Sequence, residues 1–166
     1  MAKSKEIDIS MGAEALKENG YFCLEQGKWK LAKQYFEKAI EINPRNSYLY
    51  IGVLLTKYKL KNMDLLPQVS ENFGKTNNYK LALQYADEEL KTKLSEYVKE
   101  YKAVLEEKYQ KAIEALSVCQ TIDDYKICYE TFLSMGKYKK AELYAGKARE
   151  VIDQLNYDYC VEKMKQ

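Results

Sequence analysis

The chain has 166 residues, with 27 Lys and Arg against 25 Asp and Glu and a formal charge of +2. Both signs are interspersed, so no strong pull toward nucleic acid or an anionic membrane follows, and the length suits one domain or a short repeat array with its own core. Only 2 prolines and 7 glycines stand beside 16 tyrosines, a composition that predicts nearly all helix. No apolar run is long enough to span a bilayer, and the start MAKSKEIDIS lacks the hydrophobic core of a signal peptide, which gives an expectation of a cytoplasmic protein without membrane contact.

In chain order, residues 1–10 read as a disordered segment and residues 11–163 as one helical domain. That domain divides into a regular hairpin at 11–46, degenerate repeats at 47–118 and a C-terminal helix pair at 121–160. Within the hairpin, one helix is predicted from Ser10 to about Gln26, with Gly27 marking the turn. A second runs from Lys28 to about Ile42, where Trp29, Ala32, Phe36, Ala39 and Ile40 set an apolar period and Pro44 ends it. Gly20 and Ala32 are small where the two helices cross, which lets their backbones approach.

A third helix is expected from Ser47 to about Leu60, followed by a short helix in LLPQVSENF capped by Asp64, with Pro67 in its first turn. From Asn78 to about Val118 there is no Gly or Pro, and apolar residues recur at three and four. This stretch is either one long helix or two, broken near Glu106 to Lys108. Thr121 and Asp124 form a capping-box start for a helix to Met135, and Gly136 separates it from a last helix running from Lys137 toward Tyr159. GKWKLAKQYFEKA at 27–39 recurs as NNYKLALQYADEE at 77–89 and GKYKKAELYAGKA at 136–148, unevenly spaced, so three helices are related within an irregular array.

Leu16, Gly20, Ala32, Phe36 and Pro44 occupy the set places of a two-helix repeat, and the segment from Ala13 to Pro44 resembles a tetratricopeptide repeat. Asn19 and Cys23 depart from that pattern. The second half is similar to the helical-repeat region of uncharacterised bacterial tetratricopeptide-repeat proteins. The expected fold is therefore all-α, an irregular solenoid-like array of antiparallel helix pairs with about seven helices and room for one long helix in the middle.

Candidates for chemistry are few. Cys23, Cys119, Cys128 and Cys160 form no CxxC pair and the chain has no histidine, so neither a zinc site nor a disulfide framework is indicated, and four reduced, buried thiols are expected. Asp87, Glu88 and Glu89 point in different directions on a helix and read as a solvated face. Asp123 and Asp124 read as a cap. With no phosphate loop and no nucleophile elbow, no catalytic residue, metal ligand or cofactor is assigned, and the chain is read as a non-enzyme.

The remaining function is protein binding. The first helices of stacked hairpins line a concave face that takes a peptide or a partner helix. By resemblance, the lining residues are Lys17, Tyr21 and Leu24 from the first helix and Ile51, Leu55 and Tyr58 from the third. Tyr21 and Gly52 replace the Asn residues of the carboxylate-clamp subtype, so an apolar or aromatic ligand fits better. The alternatives are a Lys and Tyr surface for single-stranded nucleic acid, which the charge balance disfavours, and a regulatory subunit of an enzyme complex. The partner's identity and a homo-oligomer stay open.

Overall fold

The computed structural model describes residues 12–165; the segment 1–10 lies outside the described residues. All regular structure among them is helical: α1 Ala13–Glu25, α2 Trp29–Ile42, α3 Ser47–Tyr58, α4 Asn77–Tyr85, α5 Glu88–Val118, α6 Ile122–Leu133 and α7 Ala141–Met164, with two 3-10 turns, Met63–Gln68 and Phe73–Lys75, between α3 and α4. The expected all-α repeat-like array is therefore present. Packing divides it into two compact units, with the boundary between Tyr101 and Lys102.

In the first unit, α1 stops where Gly27 takes φ 68°. The Gly27 and Lys28 amides donate back to the carbonyls of Leu24 and Cys23 at 3.0 and 2.9 Å, a Schellman ending that a residue without Cβ adopts at no steric cost. α2 then buries Ala32, Phe36 and Ala39 completely. The space at Gly20 is filled by a ring rather than by a neighbouring backbone. A Cβ built at Gly20 would stand 2.6 Å from Phe36, and one built at Gly52 of α3 would stand 2.5 Å from the same ring. Phe36 thus ties α1, α2 and α3 together. α3 opens on Asn46, whose Oδ1 accepts from the Tyr48 amide at 3.1 Å.

Beyond α3 the structure corrects two expectations. LLPQVSENF forms no α-helix, and the capping residue is Asn62, which accepts from the Asp64 amide at 3.1 Å. Asp64 instead receives the Tyr97 hydroxyl and lies 3.4 Å from the Lys93 ammonium. Pro67 lacks a donor, so this short segment cannot complete an i to i+4 ladder, and tighter 3-10 turns seat Leu66, Pro67 and Phe73 in the core. The break in the Gly- and Pro-free stretch falls at Ala86 and Asp87, while α5 continues through residues 106–108. Ala86 is extended, with ψ 147°, and Asp87 Oδ1 accepts from the Leu90 amide at 2.8 Å. Asp87 is therefore an N-cap, with Glu88 and Glu89 in the first turn, where the helix dipole favours anions.

The internal repeat has a packing meaning. Ala32, Ala82 and Ala141 are each fully buried, and the positions four further on, Phe36, Ala86 and Ala145, are buried too. Tyr85 stacks on Tyr50 at 5.9 Å and Tyr144 on Phe132 at 5.3 Å. In the second unit, Tyr109, Ala112, Cys128, Phe132, Met135, Ala141 and Ala145 form the core. α6 opens with the expected capping box: the Asp124 amide donates to Thr121 Oγ1 at 3.2 Å, and Asp124 Oδ2 accepts from the Thr121 amide at 2.9 Å. α7 begins at Ala141 rather than Lys137, because Gly136 and Lys139 both hold positive φ and keep the connection in turns.

Candidate functional site

α1 and α3 carry all six residues expected to line a binding face, and the structure separates them into two groups. Leu24, Ile51 and Leu55 have no exposed surface. They are core residues and present nothing to a ligand. For Ile51 and Leu55 the reason lies in α3, whose residues Leu49 to Thr56 are all buried; a segment apolar on every side is covered on every side. Lys17, Tyr21 and Tyr58 keep part of their surface.

Lys17 and Tyr21 meet at Tyr48, a residue that the sequence reading did not assign to the face. Tyr21 donates its hydroxyl to the Tyr48 carbonyl at 2.8 Å and sets its ring edge-on to Phe36 at 5.0 Å. Burial, with the Tyr48 phenol beside it, pushes the Tyr21 phenol well above its ordinary pKa. Lys17 pairs with Glu14 and holds its ammonium 5.9 Å from the centre of the Tyr48 ring, within cation–π range. Tyr48 itself is 40% exposed. A signal for it existed: residues 48, 51, 55 and 58 share one side of α3 at spacings of three, four and three, and Tyr48 is the outermost of the four.

Tyr58 belongs to a separate polar cluster. Lys57 donates to Glu71 at 2.6 Å and to the Tyr58 hydroxyl at 3.2 Å. The Lys57 ammonium holds the Glu71 carboxyl below the usual carboxylate range, while burial raises the Tyr58 phenol. Both clusters hence carry neutral phenols and opposite charges already paired, an arrangement suited to stacking and hydrogen bonding.

In the second unit, α5 and α6 border a hollow of about 440 Å³ lined by apolar groups including Val104, Ala112, Ala115 and Ile127, beside Lys108 and Lys111. A smaller one of about 210 Å³ adjoins it at Cys119 and Cys128. Among the described residues no group of three His, Cys, Asp or Glu side chains is placed to hold a metal ion, and no helix is long and apolar enough to cross a membrane.

Comparison with known proteins bears on the first hairpin. The family model of the tetratricopeptide repeat matches residues 13–46, the span of α1, α2 and the turn after them. Neither the curated proteins nor the solved structures give a significant match to the chain. The match ends at Asn46, the residue that caps α3, so it coincides with one helical hairpin whose register is fixed by Gly20, Ala32 and Phe36. Residues 13–46 of this chain are thus similar to a tetratricopeptide repeat.

Proposed function

We propose that the chain is a non-catalytic scaffold that binds a protein or peptide through the side of its first unit formed by Lys17, Tyr21 and Tyr48, with Tyr58 further along α3. Tetratricopeptide repeats generally mediate protein–protein interactions, and the observation that carries the reading here is the 40% exposed Tyr48 ring, whose backbone is tied to α1 by the Tyr21 hydroxyl and whose ring has the Lys17 ammonium 5.9 Å from its centre. An exposed aromatic whose surroundings are locked gives up little side-chain freedom on binding and makes a good anchor for apolar or aromatic side chains.

Charge arrangement favours a protein partner over single-stranded nucleic acid. Of the six lysines that stand over a tyrosine ring among the described residues, four, Lys17, Lys57, Lys93 and Lys139, are also paired with a carboxylate, of Glu14, Glu71, Asp64 and Glu106 respectively. Lysines neutralised in this way have little left for phosphates. The test is a binding panel of displayed peptides and single-stranded oligonucleotides, with affinity followed against salt. Peptide binding that changes little with salt is expected; binding confined to oligonucleotides, with the steep decline of counterion release, would replace this reading with the nucleic-acid one.

A further inference from the structure

Cys119 is the first residue beyond α5, in the short link to α6, and Cys128 lies on α6. Their sulfurs stand 3.4 Å apart. Cys128 is buried and Cys119 partly exposed, and both line the hollow of about 210 Å³ between these helices. The two thiols are thus neighbours in space although nothing in their spacing marks a redox motif. Forming a bond of about 2.05 Å would require the sulfurs to close by about 1.4 Å, and Cys119 Sγ would exchange its present contact with the Ala115 carbonyl, 3.2 Å away, for the Cys128 sulfur.

We propose that Cys119 and Cys128 form a dithiol site that reacts with small disulfides and closes to an intramolecular disulfide. Cys119 meets the reagent first, because it is the accessible sulfur. Its thiolate attacks one sulfur of R–S–S–R, forming the mixed disulfide Cys119–S–S–R and releasing RS⁻. Cys128 then loses its proton and attacks the Cys119 sulfur, forming the Cys119–Cys128 bond and expelling the second RS⁻. The small disulfide is reduced to two thiols, which carry the two protons, and the protein thiol pair is oxidised by two electrons. Burial and the neighbouring Cys119 push the Cys128 thiol up to about 11, so it is the proximity of Cys128, not its acidity, that drives the second step. Cys160 is exposed and serves as an internal control, since its reaction is expected to stop at the mixed disulfide.

The test treats the full chain with oxidised glutathione, quenches it in acid and maps tryptic peptides without reduction. The expected product joins peptide 112–126, which holds Cys119, to peptide 127–137, which holds Cys128, while glutathione stays on Cys160. In Cys128→Ser, glutathione should remain on Cys119. In a glutathione redox buffer the equilibrium constant for the cross-link should fall roughly tenfold or more in concentrated urea, where the fold no longer supplies the local thiol concentration. Glutathione retained on Cys119 of the unmutated chain, a link from Cys119 to Cys23 or Cys160, or an equal constant in urea would overturn the proposal.

Discussion

A methyl group added at Gly52 would lie 2.5 Å from the Phe36 ring, and one at Gly20 2.6 Å from the same ring, closer than any real Cβ contact. Phe36 has no exposed surface and so no free space into which to retreat. Alanine gains about 1 kcal/mol over glycine in a helix interior, whereas overpacking costs about 1–3 kcal/mol. The clash wins: Gly52→Ala is expected to lower the thermal midpoint despite its better helix propensity, and a raised midpoint would show that the ring is not held where the structure places it. Glu106 is a different kind of residue-scale feature. It accepts from Lys139 at 2.5 Å, and also from Tyr138 and Gln110, and Lys139 followed by Tyr138 holds its carboxyl down at about 2, against an ordinary value of 4.5. A depressed carboxyl stabilises the fold fully above its unfolded pKa and loses that contribution as pH falls through its folded one. Denaturant midpoints should therefore fall between pH 4.5 and about 2, and Glu106→Gln should flatten that slope; an identical slope in the variant would refute the assignment.

Among the elements, the start of α5 is the place where the sequence reading and the structure differ most usefully. Asp87 caps the helix through the Leu90 amide, and Asp87→Ala is expected to cost about 1 kcal/mol, as loss of an N-cap usually does; unchanged denaturant stability would mean that the break at Ala86 does not depend on the cap. The signal was present as an acidic run, which helix periodicity alone reads as a solvated face. The apolar spacing carries on through Ala86 in phase, so only the cap chemistry of Asp87 reports the interruption. α1, α2 and α6 were legible because their ends are written in strong local terms, Gly27, Pro44 and the Thr121–Asp124 box. The 3-10 turns were not, since their course is set by burial of Leu66 and Phe73, a tertiary effect with no period of its own.

For the molecule as a whole, the tetratricopeptide-like hairpin was readable from five residues, and the internal repeat joined α2, α4 and the start of α7, each of which buries the alanine of the motif. The candidate face was readable only in part. Family positions selected Leu24, Ile51 and Leu55, but all three are core, Ile51 and Leu55 because the middle of the unusually apolar α3 is covered on all sides, while Tyr48 at its start takes the exposed place. Truncating the buried leucines would test packing, not recognition. The measurement that bears most directly on the scaffold reading is the affinity of a selected peptide for the native chain and for Tyr48→Ala, with helical circular dichroism recorded on both. The account predicts unchanged helicity and affinity weakened about tenfold or more. Equal affinity in the two proteins would contradict it, and would remove the Lys17, Tyr21 and Tyr48 surface as the place where a partner docks.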